Sequence, residues 1–200
     1  MSAPRGREAE ARRNDERLLA AALDIYARDP GASMSAVARR AGVGQATLYR
    51  RYRNKEELLA RVCEDGMERI RDAARAALDP AVDPFDAVAG FLRWYLASGT
   101  TQLSSLLGMF SPVEAQFRLA REGNEAVQAL VDRAVAAGRM RADVTGGDLT
   151  VLATRLSGLD EGRDRYLTLF LQALAQVDAP PLPGRAPGAE DLERPWRATM

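Results

Sequence analysis

Residues 33–55 read SMSAVARRAGVGQATLYRRYRNK, and this stretch decides the fold. It predicts two short helices, one from Ser33 to about Ala41 and one from about Gln45 to Tyr52, with Ser33 as the first N-cap. Gly42 lies between them, where glycine accommodates the positive φ of a tight turn. The apolar interior is expected to come from Val37, Ala38, Ala41, Val43 and Leu48. This pattern is typical of a helix-turn-helix.

The charge of this stretch differs from that of the whole chain, whose 200 residues have a net charge of zero. Residues 1–61 hold 13 Lys/Arg against 8 Asp/Glu, whereas residues 62–200 hold 15 against 20. No acid lies between Asp29 and Glu56, but six basic residues do. Such a basic segment indicates a surface for a polyanion. The alternative is a solvated helical face.

The rest of the chain also predicts helices, because Ala, Leu, Arg and Glu dominate and β-branched residues are sparse. The fold class is therefore all-α, with an N-terminal three-helix head and a larger helical domain. The first helix is expected from about Asn14 to Arg28, and the fourth from Asn54 to about Leu78. The predicted organisation is a flexible arm (1–13), a helix-turn-helix domain (14–60), a regulatory domain (61–177) and a disordered Pro-rich tail (178–200). Trp196 is the one tail residue expected to be capable of docking.

The residues that are missing exclude several function classes. The chain has no histidine and only one cysteine, Cys63, so it can form no intrachain disulfide. The usual zinc sites and the Ser-His-Asp and Cys-His catalytic groups are also excluded. Carboxylate pairs and a Mg²⁺ site stay open as alternatives, but no carboxylate motif indicates either, so we expect no enzyme activity, no metal and no cofactor. The apolar runs are too short to span a bilayer and the first residues lack an apolar signal region, so the expected location is cytoplasmic.

In its motifs the sequence resembles the tetracycline-repressor (TetR) family of transcriptional regulators. Three segments agree with the family signature in order and without gaps: Ala41-Gly42-Val43, Thr47-Leu48-Tyr49 and Lys55-Glu56-Glu57-Leu58. Gly44 and Ala46 replace the family's Ser and Gly at the start of the second helix. The resemblance covers about residues 14–60 and implies a homodimer whose ligand shifts the fourth helix.

The residues expected to bind DNA lie on the two short helices and at the start of the fourth. The resemblance implies phosphate contacts for Thr47, Tyr49 and Lys55. Gln45 is the candidate for reading a base, since glutamine can pair with adenine through two hydrogen bonds. Arg39 and Arg40 are expected at phosphates, with solvated charge as the alternative. The complete candidate set is Ser33, Arg39, Arg40, Gly44, Gln45, Ala46, Thr47, Tyr49, Arg50, Tyr52 and Lys55.

Aromatic and sulfur-containing residues of the second domain form the candidate ligand site. They are Phe91, Trp94, Tyr95, Met109, Phe110 and Phe117. Gln116, Thr101 or Glu114 are candidates for the polar groups of such a pocket. The alternative for each residue is ordinary core packing.

The last two predicted helices, 148–159 and 163–177, are the candidate dimer interface. The second is apolar nearly all round, so it must be covered on more than one side. The candidate interface residues are Leu149, Leu152, Leu156, Leu167, Phe170, Leu171 and Leu174. The alternative is complete burial within one chain. A symmetric homodimer implies a palindromic double-stranded DNA operator, and repression is the commoner role that the resemblance implies. The rival functions are a helical small-molecule-binding protein without DNA-binding activity and a protein-interaction module.

Overall fold

A computed structural model describes residues 4–159 and 161–198, with side chains from residue 13 onward. Helix is the only regular secondary structure in these ranges. The α-helices are α1 (Pro4–Arg28), α2 (Met34–Ala41), α3 (Gln45–Arg51), α4 (Lys55–Ala76), α5 (Pro84–Ala97), α6 (Glu114–Ala136), α7 (Gly146–Ser157), α8 (Arg163–Leu174) and α9 (Ala189–Arg197). A 3₁₀ helix, Thr100–Leu106, follows α5. No described helix is both long and apolar enough to cross a membrane.

The turn between α2 and α3 has the predicted geometry. Ser33 caps α2, since its hydroxyl oxygen accepts a hydrogen bond from the Ala36 amide at 3.2 Å. Gly42 ends α2 with φ of 69°, a left-handed conformation that residues with a Cβ rarely adopt. Leu48 is the one buried residue of α3 and packs with Val37 and Ala38 of α2. The helix-turn-helix prediction is confirmed.

A first hydrophobic core holds α1, α2 and α3 to the N-terminal half of α4. Tyr26 and Leu58 are among its fully buried side chains. Three residues that follow α5 in the chain also belong to this core: Leu103, Leu106 and Phe110. The 3₁₀ helix and the loop after it therefore pack directly on the head.

The second core lies in the body, between α5, α6, α7 and α8. Val88, Leu92, Leu130, Leu149 and Leu174 are buried in it. The long helix α4 runs from one core to the other, and it packs more extensively on α6 than any other pair of helices packs. Asn54 caps α4 through its side-chain oxygen, which accepts the Glu57 amide at 2.8 Å.

Both predicted termini need correction. Helix α1 already begins at Pro4, so the expected flexible arm over residues 1–13 is wrong for residues 4–13. Residues 1–3 lie outside the described residues. The prediction of a disordered tail over 178–200 is wrong as well, because the last part of the described tail forms α9.

The segment 178–188, which we call the strap, connects α8 to α9 along the body. Arg141 donates a hydrogen bond to the Pro180 carbonyl at 2.8 Å, and the Leu182 amide donates one to the Asp143 carboxylate at 2.7 Å. Arg141 also pairs with Asp143, and these contacts hold the pKa of that carboxyl far below its ordinary value. The strap then crosses Gly147 so closely that a Cβ there would lie 2.3 Å from the Pro187 carbonyl oxygen.

Cys63, the only cysteine in the chain, is buried on α4. Burial, with a smaller effect of Glu64, raises the pKa of its thiol to about 12, so the thiol stays protonated in neutral and mildly alkaline buffer. Only a thiolate attacks a disulfide reagent. We expect the native protein to resist an aromatic disulfide reagent that labels the urea-unfolded chain completely. Prompt labelling in buffer would contradict this and would show that α4 opens at Cys63.

Candidate nucleic-acid interface and ligand cavity

All residues of α3 except Leu48 are exposed to solvent. Gln45, Ala46, Thr47 and Arg50 are exposed, and the Tyr49 side chain is 48% exposed. One hydroxyl, one amide, one phenol and one guanidinium therefore lie on a short rigid helix. These groups suit base edges and phosphate oxygens.

Ion pairs and hydrogen bonds fix α3 to α1. Arg51 pairs with Asp15 at 2.7 Å, and the Tyr52 hydroxyl donates to the same carboxylate at 3.3 Å. On the other side of the head, Arg40 of α2 pairs with Asp24 of α1 at 3.3 Å. The three helices of the head are thus linked through polar contacts as well as through their core.

Tyr52 is a correction to the sequence analysis, which placed it among the DNA-binding residues. Its side chain is only 6% exposed, and its hydroxyl faces Asp15 instead of solvent. Burial first, and the neighbouring carboxylate second, raise the pKa of this phenol to about 12. Tyr52 therefore ends α3 as a packing residue.

A Tyr52→Phe variant tests this correction. It removes the hydrogen bond to Asp15 but keeps the buried ring, so we expect a loss of about 1 kcal/mol in unfolding free energy. Affinity for DNA is expected to stay within about two-fold of the unaltered protein, since a contact worth 1.4 kcal/mol would change it ten-fold. Urea unfolding and fluorescence anisotropy measure the two quantities. A stable variant with strongly reduced DNA affinity would restore Tyr52 to the interface.

Lys55 lies at the start of α4 and contacts two other parts of the head. Its ammonium group donates to the Pro30 carbonyl and lies 4.5 Å from the centre of the Tyr26 ring. These contacts join α4 to the end of α1 and the loop that follows. Lys55 therefore has a structural role in the head, and its contact with a DNA phosphate stays a prediction.

The remaining candidates of the head are exposed. Arg39 and Arg50 form no ion pair with any described residue, whereas Arg40 pairs with Asp24. Ser33 uses its hydroxyl oxygen as the cap of α2, and Gly44 begins α3 without a side-chain cap. This surface accordingly carries the positive charges of Arg39 and Arg50, which no described acid pairs, whereas Arg51 of α3 pairs with Asp15.

A cavity of about 340 Å³ lies in the body, between α4, the 3₁₀ helix, α6, α7 and α9. This volume is in the range of small-molecule sites. Its walls are largely apolar and include Met67, Ile70, Leu103, Phe117 and Leu192. Its polar groups include Thr100, Thr101, Gln116, Asn124 and Thr154.

Only part of the predicted ligand set borders this cavity. Tyr95 and Phe117 line it, as do Thr101 and Gln116, but Glu114 does not. Phe91 and Trp94 pack in the body core instead, with ring centres 5.9 Å apart. Met109 and Phe110 pack against the core of the head. These four residues do not line the cavity, and their role as ligand contacts stays a prediction.

The sequence analysis missed the wall that α9 supplies. Leu192, Glu193, Pro195 and Trp196 all border the cavity. The proline content of the tail concealed this helix. The signal was Gly188 followed by the acids Glu190 and Asp191, which favour a helix start.

One cavity residue also contacts the helix that leads to the head. Gln116 is 4% exposed, and its amide nitrogen donates to Glu64 of α4 at 2.9 Å. Its amide oxygen accepts the Val113 amide at 2.7 Å. Glu64 in turn lies 3.4 Å from Arg61 on the same helix. A ligand group that competes for Gln116 would therefore change a contact of α4.

The predicted dimer residues divide into two groups. Five leucines are buried in the chain's own core and cannot supply surface to a partner: Leu149, Leu156, Leu167, Leu171 and Leu174. Leu152 and Phe170 are partly exposed. The exposed apolar side chains of α7 and α8 are instead Val151, Tyr166 and Leu169. A groove between the two helices is lined by Val151, Leu152 and Phe170, together with Leu182 of the strap.

Comparison with known proteins agrees with this geometry. The family model described as "Bacterial regulatory proteins, tetR family" matches residues 18–62. No curated protein matches the chain significantly. A TetR transcription regulatory protein from Mycobacterium vanbaalenii is 31% identical, with a TM-score of 0.63, and the match covers 84% of this chain and 98% of that chain.

Two further solved structures are similar. A TetR transcriptional regulator from Streptomyces coelicolor is 27% identical, with a TM-score of 0.64 and coverage of 82% of this chain and 99% of that chain. The regulator LfrR from Mycobacterium smegmatis, in complex with proflavine, is 20% identical, with a TM-score of 0.60 and coverage of 82% and 98%.

A helix-turn-helix head on a helical body defines a DNA-binding transcriptional regulator. The identity and coverage of the mycobacterial structure, together with the family model on the head, decide the family. The chain belongs to the TetR family.

Proposed function

We propose that this protein is a ligand-responsive repressor that binds a palindromic operator as a homodimer in the cytoplasm. The observation that carries the proposal is the outward face of α3, where Gln45, Thr47, Tyr49 and Arg50 are exposed next to unpaired positive charge. The small-molecule effector is expected in the body cavity, and no enzyme activity, cofactor or metal is part of the proposal.

In the proposed complex α3 enters the major groove, which is wide enough to admit an α-helix. Gln45 lies at the start of α3, where recognition helices place their base-reading residues. Thr47, Tyr49 and Arg50 then contact phosphates or neighbouring base edges. Arg39 of α2 and Lys55 of α4 add phosphate contacts on either side.

The route from effector to DNA follows from two features of the cavity wall. Leu103 of the 3₁₀ helix borders the cavity and also packs in the core of the head. Gln116 borders the cavity and is hydrogen bonded to α4 through Glu64. An effector can shift the head only if it binds one position of these groups more tightly than another. The size of the shift is limited by that difference in affinity. We propose that occupancy moves α4 and changes the separation of the two heads.

The homodimer is proposed from the exposed apolar face of α7 and α8. Val151, Tyr166 and Leu169 are large exposed apolar side chains on one pair of helices, and the partly buried Leu152 and Phe170 of the same helices pack against the core. Isolated exposed apolar residues need no explanation, but a contiguous group indicates an interaction site. Pairing these helices with their symmetry copies would give a four-helix interface.

The cavity as effector site is supported by its volume and by its few convergent polar groups. LfrR, which has the same fold, was solved in complex with proflavine. Proflavine is the compound bound in the LfrR structure, and it is not proposed as the ligand of this chain.

The experiment that tests the proposal is selection of bound sites from a random duplex DNA library with the purified protein at modest salt. A palindromic consensus with half-sites about one helical turn or a multiple apart would support a dimeric sequence-specific regulator. Enrichment of a single unrepeated half-site would contradict the dimer. No enrichment would favour the second candidate, a helical small-molecule-binding protein that does not use its head on DNA.

A further inference from the structure

We propose that α9 is a lid on the effector cavity and that the effector is an uncharged, largely apolar molecule that enters by lifting α9 and then contacts Leu192 and Trp196. This inference rests on the proposed function, because it assigns a gate and a ligand class to the same cavity. The first observation in its support is the position of α9, since five of its residues form part of the cavity wall.

The inner face of α9 is held to α6 by a small number of contacts. Glu193 is 8% exposed and pairs with Arg121 of α6 at 3.3 Å. Arg197 lies 4.2 Å from the centre of the Phe117 ring, and the Trp196 ring lies 6.2 Å from that of Phe110. The contacts with Arg121 and Phe117 therefore fix the position of α9 against α6.

The strap and α9 differ in how they are attached. The strap is hydrogen bonded to the body at Pro180 and Leu182, and it crosses Gly147 at close approach. Helix α9 begins after Gly188, and Pro195 inside it removes one backbone donor. Motion about Gly188 would open the cavity while the strap stays in place, so α9 has the arrangement of a hinged lid.

The ligand class follows from the charges around the cavity. Glu193 is already paired with Arg121 and Arg197. Asp191 is already paired with Arg185 and Arg194, and these contacts lower the pKa of its carboxyl. Arg155 is an exposed cation of α7 on the cavity wall. A charged ligand would lose its hydration without gaining an unpaired buried partner, whereas a neutral one fits the apolar walls.

The test uses the two tryptophans of the chain and a neutral fluorescent probe, N-phenylnaphthylamine. In the full-length Trp94→Phe protein, Trp196 is the sole tryptophan and reports on α9 alone. We expect Trp196 to be protected from acrylamide quenching and to transfer energy to the bound probe. Ala120→Phe, which fills the cavity from α6, is expected to abolish this transfer.

The gate is tested by the rates of probe binding. Glu193→Gln weakens the seating on Arg121, and we expect the association and dissociation rate constants of the probe both to rise at least about five-fold, since the bonds it replaces are charge-assisted. Arg121→Gln removes the same contact from α6 and is expected to act similarly, with no further gain in the double variant. Glu190→Gln makes the same chemical change at an exposed position of α9 and is the matched control.

The outcomes separate this inference from the proposed function. Equal rates in Glu193→Gln and in the control, with no energy transfer from Trp196, would overturn the lid and leave an effector site elsewhere in the cavity intact. A probe that binds only when Glu193→Gln or Arg121→Gln is present would support a lid that is closed at rest. No probe binding to any variant would overturn both the lid and the apolar effector, while the DNA-binding proposal would be judged by site selection alone.

Discussion

Replacing Leu169 by Glu is expected to convert the protein into a monomer and to lower its affinity for a two-half-site operator at least about 100-fold, since joint binding of two heads gains that much or more. Leu169 is 50% exposed on α8 beside Tyr166. In a symmetric interface the new carboxylate would be buried without a partner, close to the apolar face of the second copy. Light scattering measures the assembly, and fluorescence anisotropy with the selected operator measures the affinity.

Val113→Glu is the matched control for this experiment. Val113 is also a large exposed apolar residue, but it lies just before α6 and belongs to neither α7 nor α8. The control is expected to remain a dimer with unchanged operator affinity. A Leu169→Glu protein that is still dimeric at micromolar concentration would show that another surface pairs the two chains.

Arg50→Ala and Gln45→Ala are expected to weaken operator binding in two distinguishable ways. Loss of a phosphate contact at Arg50 would lower affinity for every sequence and reduce the slope of log affinity against log salt by about one. Loss of a base contact at Gln45 would cost about 1–3 kcal/mol on the preferred base and would relax the consensus at that position of each half-site. Binding titrations at several salt concentrations, on the consensus and on single-base variants, measure both effects.

Arg93→Ala is the control for these titrations. Arg93 is an exposed arginine of α5, in the body, and removing it changes the net charge by the same amount as Arg50→Ala. It is expected to leave both the affinity and the salt slope unchanged. If Arg50→Ala behaves like Arg93→Ala, α3 does not contact the phosphates in the way proposed.

The head could be predicted from sequence because its signals are local. A cap at Ser33, a left-handed turn at Gly42 and a short apolar interior fix two helices within one continuous stretch. Helix periodicity was also sufficient for the approximate bounds of α4, α7 and α8. Tyr52 shows the limit, because its position next to exposed residues of α3 gave no sign of its partner Asp15, 37 residues earlier in the chain.

The cavity and the dimer face were predicted less well because they depend on tertiary packing. Aromatic composition marked Phe91 and Trp94, but long-range packing places them in the core. An apolar helix such as α8 predicts burial without saying which residues face the chain's own core. The structure assigns Leu167 to that core and leaves Leu169 exposed, two positions away.

The tail was predicted to be disordered because of its prolines, and this prediction was wrong for α9. The prolines of the strap favour an extended backbone, but Pro195 lies inside α9, and the strap carries this helix to the cavity wall. The signal at Gly188 was readable, whereas the contacts with α6 and the cavity were not, since they join residues more than 70 positions apart.

The close crossing at Gly147 makes the tail and the body of this protein mutually dependent parts. Any side chain at that position would bring a Cβ to 2.3 Å from a backbone oxygen of the strap, and a backbone group cannot turn aside as a flexible side chain can. The tail is therefore not a portable module. Grafted onto a homologous body with a residue other than glycine there, it would have to follow another path and deliver its terminal helix elsewhere.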